Sequence, residues 1–298
     1  MMVDQANKLR DMFSAKEVIQ PKEISSRVIT ISSGKGGVGK TNFAVNLAIE
    51  LCKHNKRVVL IDADLGLANV EVLFGIIPRY SLADMLNGTR TVDEILTDGP
   101  MGIKFISGGS GLKELVNVTD KHLNRILENF QYLDSISDVI IIDTGAGVSN
   151  VVTNFIRASS ETIIVTTPEP TSITDAYALI KAIKTGEVEG ESLPEFKLIV
   201  NRVDTTREGE EIFQKLSKVS EKFLGVKLEC LGFIPMDPLL IKAVKRQQPV
   251  SVCYPNAEFT ESIRAITLSL LNIKSAAGTD AKVGIKSFIK RLVKVFDN

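Results

Sequence analysis

The stretch Gly34-Lys35-Gly36-Gly37-Val38-Gly39-Lys40-Thr41 narrows the possible folds of this chain more than any other. A β-branched run, Val28–Ser32, leads into it, and an amphipathic window, Asn42–His54, leads out. It thus fits G-x-x-x-x-G-K-[ST] in the strand–loop–helix setting where that pattern has physical meaning. Glycines let the backbone curl so that successive N–H groups point inward at phosphate oxygens, and the helix N-terminus adds partial positive charge. In that arrangement Gly36, Gly37, Val38 and Gly39 form the cradle, Lys40 reaches the β- and γ-oxygens, and the Thr41 hydroxyl ligates Mg²⁺.

Around this loop, short β-branched runs alternate with helical windows. The expected strands are Val28–Ser32, Arg57–Ile61, Ile103–Ile106, Val139–Asp143, Thr162–Thr166, Lys197–Asn201 and Glu229–Phe233. Several are apolar throughout rather than alternating, as strands covered on both faces are. Helical windows at Asp120–Ile136, Ser149–Ala158, Ser172–Thr185 and Gly209–Phe223 lie between them. The pattern predicts an α/β fold: a doubly wound, mostly parallel sheet flanked by helices.

Composition removes other classes. The 36 basic and 36 acidic residues cancel, which argues against a surface coated for nucleic acid. Three cysteines, Cys52, Cys230 and Cys253, are widely spaced without a C-x-x-C pair, and there are only two histidines, so a disulfide framework or zinc ribbon is not expected. No run nears the roughly 18–20 apolar residues that span a bilayer, and MMVDQANKLR has no signal-peptide apolar core. A cytoplasmic protein is expected.

Lys35 carries further information, because a phosphate loop does not need a lysine directly after its first glycine. The string K-G-G-V-G-K-T resembles the deviant Walker A motif of the MinD/ParA/nitrogenase-iron-protein class of ATPases. The resemblance implies ATP/ADP and Mg²⁺ as ligands and an ATP-dependent homodimer. In it Lys35 reaches the partner subunit's nucleotide, while Lys40 serves its own. It also implies slow, partner-regulated hydrolysis. Asp62-Ala63-Asp64 through Asn69 is similar to the family's switch I, which makes Asp64 the water-orienting residue and Asp62 a carboxylate of the Mg²⁺ shell or of the structure. Val139 to Asp143, then Thr144 to Gly147, resembles Walker B and switch II, with Asp143 toward Mg²⁺. Asn201-Arg202 and Pro235-Met236-Asp237 fall where the family holds adenine, with Asn201 the leading candidate and Asp237 open to a second reading as the cap of the next helix. Asn42 departs from the second threonine of many relatives.

Two appendages flank the expected ATPase domain at 27–273. Beyond a small, polar tether at 274–284, Ile285, Phe288, Ile289, Leu292, Val293 and Phe296 recur at steps of 3, 4, 7, 8 and 11 and form one helix face. Residues 282–296 hold five basic and no acidic side chains, leaving 31 basic against 36 acidic elsewhere. A basic amphipathic helix on a tether reads as an anchor for an anionic membrane surface, with a last helix packed on the core as the other reading. Two such helices in a dimer would bind far better than one. At the other end, within a leader at 1–26, Asp4-Gln5-Ala6-Asn7-Lys8-Leu9-Arg10 resembles the activator motif of the family's FlhG branch (FleN, YlxH). That likeness implies docking on the partner GTPase FlhF through Leu9 and Phe13, with Gln5 promoting its hydrolysis. It further implies control of flagellar number and placement, with flagellar basal-body components as other partners. A MinD-type division regulator fits the core and tail equally and lacks only the leader. A ParA-type DNA-segregation ATPase would need a basic surface, an iron–sulfur carrier paired cysteines, and a metabolic ligase no such tail.

Overall fold

A computed structural model of the protein describes residues 26–64, 69–108, 130, 132–187, 192–272 and 284–296. The first half of the chain contains β1 (Arg27–Ser33), α1 (Lys40–Lys53), β2 (Val58–Ala63), α2 (Val70–Phe74), α3 (Leu82–Leu86) and α4 (Val92–Ile95). Next come β3 (Thr97–Asp98), β4 (Lys104–Ile106), β5 (Val139–Ala146), α5 (Asn150–Ala158), β6 (Glu161–Thr166) and α6 (Pro170–Thr185). The last third holds β7 (Glu195–Val203), α7 (Thr206–Leu224), β8 (Leu228–Pro235), α8 (Pro238–Lys245), α9 (Val250–Cys253), α10 (Glu258–Asn272) and α11 (Ile285–Phe296). All seven expected strands are present, with ends shifted by a few residues. The expected helix over Asp120–Ile136 falls mostly outside the described residues; 132–136 are helical.

The strands form one sheet in the order β3-β4-β2-β5-β1-β6-β7-β8. Every pairing is parallel except β3 with β4, a two-residue antiparallel edge. From β1 the chain steps outward through β2 to β4, returns to insert β5 between β1 and β2, then proceeds through β6, β7 and β8 on the other side. The carboxyl ends of β1 and β5 thus flank the topological switch point, where open α/β sheets bind ligands. Register does the rest: Asp143 lies beside Ile31 of β1 and directly opposite Asp62 of β2.

β2 and β6 are buried at every residue, and β1 at every residue after Arg27, which explains why none of them alternates apolar with charged residues. On one face Ile29 and Ile31 pack with Phe43 and Leu47 of α1 and with Phe259 and Ile263 of α10. On the other, Val28, Ile140 and Ile142 meet Phe155 of α5 and the apolar side of α11. At the amino edge Glu161, 6 % exposed, accepts two hydrogen bonds of 2.8 Å from Arg27 and one of 2.8 Å from Lys197, which is 1 % exposed.

α11 is the packed helix of the two readings. Ile285, Phe288, Ile289, Leu292 and Val293, expected to face a membrane, are each at most 4 % exposed, and the Phe288 ring lies 6.0 Å from that of Phe155. The physical reason is that the sheet face beside α5 is itself apolar and would otherwise face water. The Phe296 side chain, the tether at 274–283, and Gln5, Leu9 and Phe13 lie outside what is described. One oxygen of Asp134 accepts the backbone N–H of both Ser26 (3.1 Å) and Ile285 (3.3 Å), so the start of β1 and the start of α11 share an anchor.

Candidate nucleotide site

The phosphate loop leaves β1 at Ser33 and enters α1 at Lys40. Gly37 (φ 78°) and Gly39 (φ 93°) adopt left-handed backbone that non-glycine residues avoid. A Cβ on Gly36 would meet nothing within 4 Å, so the loop's outer side opens onto space. Gly34 is different: a Cβ there would lie 2.2 Å from the Asp175 backbone of α6, so the loop's first turn packs directly on that helix.

The loop's two lysines part company. Lys40 turns inward, 7 % exposed, and its Nζ is 2.8 Å from Asp143 Oδ1. Asp143 Oδ2 is buried with no hydrogen-bond partner among the described residues. Burial pushes the Asp143 carboxyl up, and the Lys40 charge and the nearby Thr41 hydroxyl pull it back. An orphaned, completely buried carboxylate oxygen beside a threonine hydroxyl and a lysine, beneath an N–H-rich loop, fits a hydrated Mg²⁺ on a nucleotide's phosphates. Thr41 and Asp143 are the residues that would hold it. Lys35 instead sits at the surface, its Nζ 2.7 Å from Glu169 Oε2 and 2.8 Å from Thr171 Oγ1 at the start of α6. The hydrogen bond and charge from Lys35 hold the Glu169 carboxyl below its usual range.

Asp62 makes the contacts expected of the structural carboxylate of its two readings. It accepts backbone N–H groups from Asp64 (3.1 Å), Asn69 (2.9 Å) and Val70 (3.1 Å). It therefore ties together the two sides of the switch I segment and caps α2. Burial pushes its carboxyl up to about 7, helped by the charge of Asp143 and opposed by the three N–H donors. Asp64 lies near the switch II backbone: a Cβ on Gly145 would be 3.5 Å from its Oδ1. Switch II is in turn tied to the loop's root, with Thr144 Oγ1 3.0 Å from Ser32 Oγ and Gly147 N–H donating to Ser33 O at 2.9 Å.

At the expected base end, Asn201 is 2 % exposed and donates from Nδ2 to the Val38 carbonyl at 2.7 Å, while its Oδ1 accepts the Arg202 N–H. An amide has two donor and two acceptor positions, so one of each is left. Arg202 is exposed and left-handed (φ 61°), and Pro235 ends β8 beside Val203. Asp237 makes the contacts of its second reading: it caps α8 by accepting the Leu239 N–H at 2.8 Å, and its other oxygen accepts the Phe259 N–H at 3.1 Å. Asn42 is half-buried in the first turn of α1, and its carbonyl accepts from Asn46.

Glu169 and Thr171 carry no motif in the sequence. The available signal was position: both follow β6 at the carboxyl edge, where the crevice forms. All three cysteines are free thiols, and among the described residues no group of three or more His, Cys, Asp or Glu could hold a metal. No helix among them is long and apolar enough to cross a membrane.

The family model described as "ParA: NUBPL iron-transfer P-loop NTPase" matches residues 25–271. The antiactivator FleN of Pseudomonas aeruginosa is 37 % identical over 268 residues, covering 90 % of this chain and 94 % of FleN. The flagellum site-determining protein YlxH of Helicobacter pylori is 35 % identical over 301 residues, covering 98 % of this chain and 99 % of YlxH. Among solved structures, the septum site-determining protein MinD from Pyrococcus horikoshii, complexed with Mg-ADP, superposes with a TM-score of 0.64 at 24 % identity over 87 % of this chain and all of that one. Loop, sheet order and these matches agree: the chain belongs to the ParA/MinD family of P-loop NTPases, whose members are ATPases.

Proposed function

We propose that the protein is an ATP-dependent, dimerising switch ATPase that regulates flagellar number and placement at the inner face of the cell membrane. One observation carries the reading: the same loop buries Lys40 against Asp143 and leaves Lys35 37 % exposed on Glu169. A buried lysine serves the nucleotide of its own loop, and a surface lysine at the loop's mouth can reach across to a second copy. The similarity to FleN and YlxH over nearly their whole length supports the flagellar setting.

The loop's N–H groups and Lys40 bind the β- and γ-phosphates of ATP. Asp64 orients the attacking water, and Lys35 from the partner stabilises charge on the transferred phosphoryl group. Asn201, with its remaining donor and acceptor, and the backbone at Arg202 and Pro235 hold the base. Thr41 and Asp143 would hold a Mg²⁺, which would supply neutralising charge to the phosphates.

The division of the chain into a leader (1–26), an ATPase domain (27–273), a tether (274–284) and a membrane helix (285–298) belongs to the same proposal. α11 is docked without the second copy and leaves the core on dimerisation, so that two helices reach anionic lipid together. The leader engages FlhF through Leu9 and Phe13, with Gln5 promoting GTP hydrolysis.

Co-sedimentation with anionic vesicles tests this. ATP, and not ADP, is expected to carry the wild type to the vesicles. Lys35→Ala is expected to stay in solution, as is Lys286→Glu/Lys290→Glu, which alters exposed positions without disturbing the docked face. Equal binding with ATP and ADP would sink the switch. For the leader, the wild type is expected to accelerate GTP hydrolysis by FlhF and Gln5→Ala to lose that effect.

A further inference from the structure

The strand β7 carries Asn201 to the carboxyl edge of the sheet, beside the phosphate loop rather than out in the open crevice. Its amide is 2 % exposed, and the Val38 residue whose carbonyl it grips is 3 % exposed. The bond is short, 2.7 Å. The other end of the amide is held as well, since Oδ1 accepts the N–H of Arg202 at 3.0 Å. The side chain therefore has little freedom to rotate away.

The loop is shaped around this amide. A Cβ added to Gly39 would fall 2.4 Å from Asn201 Nδ2, so glycine is required there for space as well as for its φ of 93°. The geometry of the peptide bond supplies the consequence. The Val38–Gly39 peptide is planar and trans, with its carbonyl and N–H pointing in opposite directions. Gripping the Val38 carbonyl from the Asn201 side fixes the Gly39 N–H on the opposite side, before any anion arrives. A donor held in advance costs no reorganisation when the charge comes.

We infer that Asn201 is a positioning residue for the phosphate loop, holding the Val38–Gly39 peptide so that the loop binds a polyphosphate whatever base is attached. The inference rests on the nucleotide-site reading above and assigns this side chain a task separate from any contact with adenine. Without the amide, the Val38 carbonyl is buried with a donor missing, and the peptide is free to rotate.

The separating probe is Mg²⁺-tripolyphosphate, which has no base. Calorimetric titration of wild type, Asn201→Ala and Asn201→Asp with Mg²⁺-tripolyphosphate and with Mg²⁺-ATP is the experiment, with the melting temperature of each ligand-free protein recorded alongside. Re-ordering a peptide freed by the loss of that bond costs about as much as fixing one residue's backbone, which corresponds to about a tenfold change in affinity. Both variants are expected to bind tripolyphosphate about tenfold more weakly, and ATP at least as much more weakly, with melting temperatures lowered by only a few degrees, as losing one buried hydrogen bond entails. Unchanged tripolyphosphate affinity alongside weakened ATP would overturn the inference and leave Asn201 a reader of the base. A lowered melting temperature with both affinities intact would overturn it too, leaving a purely structural residue.

The wild type alone provides a second readout that does not depend on how the variants fold. The side-chain amide resonances of Asn201 in ¹⁵N-labelled protein are expected to shift when tripolyphosphate is added, and their failure to move at saturation would contradict the coupling. If the wild type binds neither ATP nor tripolyphosphate, it is the nucleotide-site reading that fails.

Discussion

Lys40 and Lys197 are both closed off from water, at 7 % and 1 % exposure, yet their surroundings differ in kind. Lys197 is saturated: Glu161 at 2.8 Å, Glu195 at 3.4 Å and Glu229 at 3.7 Å surround it at the amino edge of the sheet. Lys40 has one carboxylate, half of which is unsatisfied. The saturated cluster is built for stability and the incomplete one for a ligand. Glu161→Gln strips Lys197 of its nearest charge and is expected to cost ~3 kcal/mol at pH 7, as breaking a buried pair does. Burial alone would raise the Glu161 carboxyl, but the hydrogen bonds and charges of Arg27 and Lys197 win and hold it low. A lowered folded pKa gives stability above the unfolded value of about 4.3 that is lost as pH falls through the folded one. Urea unfolding of wild type and variant should therefore show a gap that is full at pH 7 and closes at acid pH below that value. Cys52 offers a second check. Burial pushes its thiol up to about 11, so at pH 8 alkylation of the folded protein should be far slower there than in the unfolded chain, as read by mass spectrometry.

Among the elements, α11 carries the sharpest expectation. Phe288 is 2 % exposed against Phe155, so Phe288→Asp should cost at least about 3 kcal/mol in chemical denaturation, while Lys290→Glu on the exposed side should stay within about 0.5. The period of that helix was plain in the sequence, but what its apolar face would meet was not, because lipid and the sheet face beside α5 ask for the same side chains. The central strands were legible for a related reason: burial on both faces leaves unbroken runs such as Val139–Ile142. β3 was not, since two residues carry no period. At the site, the loop, Lys40 and Thr41 could be read from spacing, and Asp143 from its resemblance to Walker B. The duties of Asp62 and Asp237 could not, because a carboxylate that ligates and one that caps look alike until the backbone N–H groups converge on it.

At the level of the whole molecule, ligand binding and folding are linked. A nucleotide that binds only the folded protein should stabilise it by about 2.7 kcal/mol at a hundredfold excess over its Kd. Thermal melts with Mg²⁺-ATP should thus move upward, the shift should shrink with EDTA, and Lys40→Ala should abolish it. The sheet order explains why so local a ligand acts on the whole. The phosphate end of its site draws on β1, β2 and β5, the strands where the two halves of the winding meet.

The loop's glycines also make different demands on any mutant library. At Gly34 an added methyl group strikes the backbone of Asp175, whereas at Gly36 it enters open space. Scored by cellular abundance, substitutions at Gly34 should be depleted and those at Gly36 tolerated; scored by nucleotide turnover, both should be lost. Within eight residues, then, one glycine answers to the fold and another to the phosphate, and a comparison of the two scores tells them apart.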